Sequence, residues 1–221
     1  MTIVIAIDGP SGSGKSTVAR GVAAALALPV LDTGAMYRAI TLAVLDAQVP
    51  LDDAEACAAV AERCVVTLED GVTLLDGRDV RAEIRGPVVT GAVSVVAAHP
   101  PVREVLVARQ RAWVAQHGGG VVEGRDIGTV VFPDATVKVY LVAADEERAR
   151  RRQRDELAAA RNVAVDEVKA ALDRRDAIDS GRTVSPLRPA DDAIIIDTTH
   201  LDVDTVVADV VARARAAEAS R

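Results

Sequence analysis

The run Gly9-Pro10-Ser11-Gly12-Ser13-Gly14-Lys15-Ser16 constrains this chain more than any other stretch. It follows a short, mostly β-branched segment, Ile3-Val4-Ile5-Ala6-Ile7, and opens onto an amphipathic one. That is strand, glycine-rich turn and helix, with the spacing G-x-x-x-x-G-K-S of a phosphate-binding loop. Each residue type has a chemical reason. Glycines let the backbone curl its N–H groups inward around a phosphate chain, where a Cβ would clash. A helix beginning near Lys15 adds unpaired N–H donors and the positive end of its dipole. Lys15 can reach the β- and γ-phosphates, and the Ser16 hydroxyl can take a place on Mg²⁺, the expected cofactor. A turn that only reverses the chain would not need the Lys-Ser ending. Gly9 to Ser16, with Thr17, therefore reads as a nucleoside triphosphate site.

A chain of 221 residues suits one α/β domain with a modest insertion. Half of its residues are hydrophobic but only 2% are aromatic, so the core must be aliphatic around Tyr37, Trp113, Phe132 and Tyr140. A net charge of −7 argues against nucleic-acid polymers and anionic membranes as partners. No apolar run approaches the ~18 residues of a membrane span. Ile3–Ile7 is too short for a secretory signal and runs straight into the glycine loop. Cys57 and Cys64, on one helix, would lie about 10 Å apart along its axis, too far for a disulfide. A reducing cytoplasm is the expected setting.

Along the chain, Val18, Val22, Ala25 and Leu26 carry a helix from Lys15 towards Leu28, and Val30-Leu31 enters a buried strand after Pro29. Asp32-Thr33-Gly34 breaks the pattern before a helix carried by Ile40, Leu42, Ala43 and Leu45. Asp52 to Arg63 reads as a helix capped by Asp52 or Asp53. Val65–Leu68 and Val72–Leu75 flank Glu69-Asp70-Gly71 as a β-hairpin, the mark of a small inserted lobe over roughly 60–95. Helices are expected at Pro87–Ala98 and Pro101–Gln116, stopped by His117-Gly118-Gly119-Gly120. Val121-Val122 begins a third strand ending at Glu123, and a loop leads through Pro133 to a fourth strand, Val137–Val142. Helices at 145–160 and 165–178 are followed by a loop, a fifth strand at Ala193–Ile196 and a final helix marked by Val203, Val206, Val207, Val210 and Val211. Strands alternating with helices imply a five-stranded parallel sheet with helices on both faces.

The residues near the carboxyl ends of those strands are where an open α/β sheet binds its ligands. Arg38 follows the Asp32-Thr33-Gly34 turn, and Arg125 ends an apolar strand between Glu123 and Asp126. Arg175 and Arg182 flank Asp179. Arg148, Arg150, Arg151, Arg152 and Arg154 crowd one helix, where Glu146–Arg150 and Glu147–Arg151 spacing also suits a solvated, ion-paired face. Glu123 is placed to support Mg²⁺ directly or through water, with Asp32 and Asp8 as competing carboxylates. No general base stands out. A phosphate acceptor is already anionic, so positioning and charge neutralisation can carry phosphoryl transfer.

Gly9–Thr17, Asp32-Thr33-Gly34-Ala35-Met36-Tyr37-Arg38, the run from Glu123-Gly124-Arg125-Asp126-Ile127-Gly128-Thr129 to Pro133-Asp134-Ala135, and Asp179…Arg182…Ser185-Pro186-Leu187 together resemble bacterial cytidylate kinases, in order and over nearly the whole chain. The resemblance implies the nucleoside monophosphate kinase form of the P-loop NTPase fold. Its core would comprise 1–60, 96–145 and 190–221, with a nucleotide-binding insert at about 60–95 and an Arg-rich helical LID at about 146–180. It implies transfer of phosphate from ATP to CMP or dCMP by a monomer. By the same resemblance Ser94, Arg103 and Asp126 read cytosine, and Thr33, Arg38, Arg125 and Arg182 hold the acceptor phosphate, beside Tyr37. Asp179 with Arg175 contacts the sugar hydroxyls, and Arg148 and Arg151, with Lys15 and Arg125, serve the reacting phosphates. Thr33 stands where some members have serine, and Glu123 where some have aspartate. A kinase of UMP, shikimate or gluconate would share the loop without needing Ser94, Arg103 and Asp126 together. A GTP-dependent switch would show Asp-x-x-Gly and Asn/Thr-Lys-x-Asp strings; neither occurs, and Lys15, Lys138 and Lys169 are the only lysines.

Overall fold

The computed structural model describes residues 3–69 and 71–219. In chain order the elements begin β1 (Ile3–Asp8), α1 (Lys15–Leu26), β2 (Val30–Asp32), α2 (Thr33–Asp46) and α3 (Ala54–Arg63). Next come β3 (Val66–Glu69), β4 (Val72–Leu75), β5 (Arg78–Asp79), α4 (Pro87–Val96) and α5 (Pro100–His117). The chain ends with β6 (Gly119–Gly124), β7 (Val137–Val142), α6 (Asp145–Ala158), α7 (Val165–Ser180), β8 (Ile194–Asp197) and α8 (Val203–Ala219). The backbone clusters into two units, Met1–Val30 with His117–Arg221, and Leu31–Gln116. The expected insert at 60–95 lies inside the second.

The larger sheet is parallel and runs in the order β2-β6-β1-β7-β8. β1 is its centre: Ile5 pairs with Val121 on one side and Val137 on the other. Successive strand residues point to opposite faces, yet Val4 to Asp8 are all buried, so both faces of β1 are covered. That burial explains why β1 reads as a continuous apolar run rather than an alternating one. Val18, Ala19, Val22 and Ala23 of α1 and Val206, Val210, Val211 and Ala214 of α8 form one aliphatic cluster with Ile5, Ile7, Val139 and Leu141. Branched aliphatic side chains, valine above all, dominate it, as expected of a chain with so few rings.

Two local expectations are corrected in this unit. The glycines after His117 do not merely stop a helix: β6 already starts at Gly119, whose backbone lies so close to β1 that an added Cβ would stand 2.5 Å from the Ile3 carbonyl oxygen. Its φ of +134° is also disfavoured for side-chain-bearing residues. The stretch after Asp126, expected as loop, forms a short π-helical turn over Ile127–Val131. Asp8, at the end of β1, caps that turn by accepting 2.8 Å bonds from the N–H groups of Ile127 and Gly128.

In the second unit, β3, β4 and β5 form an antiparallel sheet. The expected hairpin is its β3–β4 pair; Asp70 lies outside the described residues. β5 is a third strand that the sequence does not announce, because Arg78 and Asp79 are charged and exposed. Asp53 rather than Asp52 caps α3, accepting from the Ala56 N–H at 2.9 Å. Asp32 does the same for α2, accepting from Ala35, so Thr33 and Gly34 belong to the helix rather than to a turn before it. Among the described residues, no helix is long and apolar enough to cross a membrane.

Candidate functional site

The first unit holds the glycine loop between β1 and α1. Gly12 and Gly14 sit at φ of +78° and +93°, which lets the loop wrap inward, and Gly14 serves as N-cap of α1 without a side-chain bond. Ser13 turns its hydroxyl onto the Pro10 carbonyl at 3.0 Å, and Thr17 is exposed on the first turn of α1. Lys15 is 7% exposed, with its Nζ donating to the Pro10 carbonyl at 2.6 Å. The Ser16 hydroxyl donates to Glu123 Oε2 at 2.7 Å. Parallel pairing of β1 with β6 brings these two together, since it aligns Ile7 with Glu123 just before the loop.

The three carboxylates named for the metal have different occupations. Glu123 faces Ser16. Asp8 spends both oxygens on the π-helical turn, and burial pushes its carboxyl up to about 6 despite those two bonds. Asp32 caps α2 through Oδ1 and lies 3.6 Å from Arg85 through Oδ2, within the second unit.

Burial, then the Arg125 charge, pushes the Lys15 ammonium down to about 7, against the pull of Glu123, Asp176 and Asp8. A bound triphosphate stabilises the charged form, so binding should take up a proton wherever the free loop has lost it. Triphosphate affinity is therefore expected to fall, by up to about tenfold per pH unit, as pH rises from about 7 to about 9. Titration calorimetry in two buffers of different ionisation enthalpy reads this as uptake of close to one proton at about pH 8. No uptake there would contradict the assignment.

Arginines and carboxylates of α6, of α7 and of the segments that follow β6 and α7 gather near the same loop. Arg125 donates from Nε to Asp179 at 3.1 Å and from NH2 to the Ser11 hydroxyl at 2.7 Å. Arg182 closes on the other Asp179 oxygen, Oδ1. Burial alone would raise the Asp179 carboxyl, but Arg125, Arg182 and Arg175 together hold it below the usual carboxylate range. Burial and the neighbouring Arg125 lower Arg175 to about 10, which leaves it charged at neutral pH. Asp126 is buried at the start of the π-helical turn.

The helical arginines divide. Arg148 is buried, donates to the Ser11 carbonyl at 3.0 Å and to Asp145 at 2.7 Å, and pairs with Asp176. Arg151 donates to Glu147 at 3.1 Å and clamps Thr198 twice, at 2.9 Å to its hydroxyl and 2.7 Å to its carbonyl. Arg150 and Arg154 are exposed and reach Glu147, so the solvated-face reading holds for them, with Glu147 rather than Glu146 as the partner of Arg150. Arg152 pairs with Glu156 at 2.5 Å.

Thr198 and Asp176 were not anticipated. Thr198 is buried just past β8 and bonds the Ser13 carbonyl at 3.0 Å, tying the loop to Arg151. The local signal for it is a polar residue near the end of an apolar run, Ile194-Ile195-Ile196, as Asp32 and Thr33 stand after Val30-Leu31. Asp176 accepts from the Ser11 N–H at 3.3 Å, and only its place beside Arg175 hinted at it.

The second unit holds Thr33, Tyr37, Arg38, Ser94 and Arg103. All but Arg38 are buried. The Arg103 guanidinium lies 5.4 Å from the Tyr37 ring centroid and donates to the Ala97 carbonyl at 3.2 Å. Arg38 donates to the Ile84 carbonyl at 2.9 Å and the Thr90 hydroxyl at 2.8 Å. Ser94 lies on the inner face of α4, whose start is set by Pro87 at its first turn.

Residues 5–216 match the profile of the cytidylate kinase family. A cytidylate kinase of Rhodococcus opacus is 50% identical over 210 residues, covering 93% of this chain and 92% of that one. A bifunctional pantoate ligase/cytidylate kinase of a Synechococcus strain is 53% identical over 92% of this chain, which spans only 39% of that longer protein. Among solved structures, a gluconokinase from Sinorhizobium meliloti shares the fold at 14% identity and a TM-score of 0.52, covering 98% of this chain and 94% of that one.

Proposed function

The chain belongs to the cytidylate kinase family, and on that premise we propose that it transfers the γ-phosphoryl group of ATP to CMP or dCMP, giving ADP and CDP or dCDP. The observation that carries this reading is the position of Arg125. It stands against the triphosphate loop, bonded to Ser11 and near enough to Lys15 to depress its pKa. A cation in that place can hold an acceptor phosphate where the donor phosphates end.

The mechanism follows from charge and position. An acceptor monophosphate oxygen is already anionic, so no side chain must remove a proton from it. What opposes the reaction is repulsion between two anions and the charge developing on the oxygens of the transferred group. Lys15 and the loop N–H groups meet that charge from the donor side, and Arg125, Arg148 and Arg151 would supply the remainder. Mg²⁺ fits here. Ser16 Oγ and Glu123 Oε2 offer two hard oxygens 2.7 Å apart, while among the described residues no cluster of three or more His, Cys, Asp or Glu could hold a metal unaided. That suits an ion that arrives with the triphosphate and keeps most of its other ligands as phosphate and water. Bound there, Mg²⁺ would neutralise phosphate charge. Glu123 is the carboxylate we assign to it, because Asp8 and Asp32 are engaged as caps.

For the acceptor, we assign its phosphate to Thr33, Arg38, Arg125 and Arg182, its sugar to Arg175 and Asp179, and its base to Ser94, Arg103 and Asp126, beside Tyr37. The burial of Ser94, Arg103 and Asp126 supports a base-reading role. Polar groups taken out of water discriminate sharply, because the wrong base leaves one of them unpaired. The stacked Arg103 and Tyr37 hold each other in orientation. The insert at about 60–95 and the LID at about 146–180 are the parts we expect to move on binding. We place the protein in the cytoplasm as a monomer acting on free nucleotides, a setting that agrees with two unbridged cysteines and a net charge of −7. Incubation with ATP, Mg²⁺ and CMP should yield ADP and CDP in equal amounts by chromatography. ADP without CDP would overturn the reading.

A further inference from the structure

The generic spacing of a phosphate loop leaves position 11 open, since the cradle is made by backbone N–H groups and by the Gly-Lys-Ser ending. In this chain the residue there is fully employed. Ser11 is 8% exposed, and each of its polar groups meets a different element. Its N–H donates to Asp176 of α7 at 3.3 Å, its carbonyl accepts from Arg148 of α6 at 3.0 Å, and its hydroxyl accepts from Arg125 NH2 at 2.7 Å. The first two contacts are made by backbone and survive any side chain. The third needs the hydroxyl.

We propose that Ser11 is a positioning residue for the acceptor: its hydroxyl sets the orientation of the Arg125 guanidinium relative to the triphosphate loop. This rests on the assignment of Arg125 to the acceptor phosphate. A planar guanidinium needs two fixed points to hold its plane, and Arg125 has two short ones. Asp179 takes Nε at 3.1 Å and Ser11 takes NH2 at 2.7 Å; the remaining contact, NH1 to the Gly124 carbonyl, is long at 3.4 Å. Without the hydroxyl, Arg125 pivots about Asp179 and no longer has a bond to the donor loop. Donor and acceptor phosphates must meet within a few tenths of an ångström of the productive geometry, so loss of that second point is felt in the transfer step. ATP binding through the loop N–H groups and Lys15 is left intact.

The test is a double-mutant cycle of Ser11→Ala and Arg125→Ala, with Ser11→Thr as the conservative variant. Ser11→Ala should bind ATP within about twofold of the parent while losing about ten- to a hundredfold in kcat/KM for CMP, the range of a charge-assisted hydrogen bond. Ser11→Thr should recover most of that loss. In the Arg125→Ala background, Ser11→Ala should change kcat/KM for CMP by less than about twofold, because its effect runs through the missing guanidinium. Equal losses in both backgrounds, or a loss of ATP affinity matching the loss for CMP, would overturn the proposal and leave Arg125 its role. An Arg125→Ala variant with unchanged kcat/KM for CMP would instead overturn the assignment of Arg125, and the role of Ser11 with it.

Discussion

Replacing Lys15 with Met is expected to lower turnover of ATP and CMP by about a hundred- to a thousandfold while leaving the free protein at least as stable as before. The two halves of that result have one cause. In the free protein the Lys15 side chain is buried, with its ammonium on the Pro10 carbonyl, and its pKa falls from 10.5 to about 7. For a lysine, a folded-state pKa below the unfolded one means that the charged form is disfavoured by folding. The cost is present in full below about pH 7 and is relieved as pH rises towards 10.5. Methionine fills similar space without that cost. During transfer, however, the ammonium faces charge on the phosphate oxygens from a buried position, where a fixed cation counts most. Steady-state kinetics and a thermal melt on the same preparation check both halves. Unchanged turnover would remove the loop from the chemistry, and a large fall in Tm would show that Lys15 acts through the fold.

Asp179→Asn is expected to do the reverse and damage stability and activity together. Asp179 is buried, accepts from Arg125 at 3.1 Å and pairs with Arg182. Asparagine keeps the shape but removes the charge those arginines share. Breaking a buried pair from one side costs about 3–5 kcal/mol, which for a chain of this size is a fall in Tm of roughly 6–20 °C if the loss is felt globally. The pH dependence carries the same sign. The Asp179 carboxyl is held below its usual value of 3.8, so its stabilisation is present above that pH and is lost as pH falls below it. With the sugar contact assigned to Asp179 weakened as well, kcat/KM for CMP should fall by about a hundredfold, mostly through KM. A variant with unaltered Tm and KM would show that the cluster on Asp179 is surface decoration.

Much of this site was legible in the sequence because its parts are local. Strand, glycine loop and helix are contiguous, and a loop that cradles phosphate has few alternatives in residue type. Arg125 drew notice because a charge ending an apolar strand needs a reason. What escaped was non-local. Nothing near Gly119 says that its backbone will press on Ile3, so its glycines read as a helix stop. Nothing near Asp8 says that it will cap a turn begun at Ile127, so the sequence leaves it unranked beside Glu123 and Asp32 as a carboxylate for the metal. The bond between Ser11 and Arg125 spans 114 positions, and no spacing rule reaches that far. β5 was missed for a different reason: two exposed charged residues carry no alternation to detect. Thr198 is the exception, because a polar residue near the end of the apolar run Ile194–Ile196 is a local signal, as Asp32 is after Val30-Leu31.

We propose that the glycine loop supplies the reaction while residues far from it in sequence choose cytidylate. The measurement that meets it most directly is kcat/KM for CMP, dCMP, UMP and AMP, each with saturating ATP and Mg²⁺, followed by ADP release in a coupled assay. If Ser94, Arg103 and Asp126 read the base, CMP and dCMP should exceed UMP and AMP by at least about a hundredfold, because a buried polar site leaves groups unpaired with the wrong base. Equal values for CMP and UMP would contradict it.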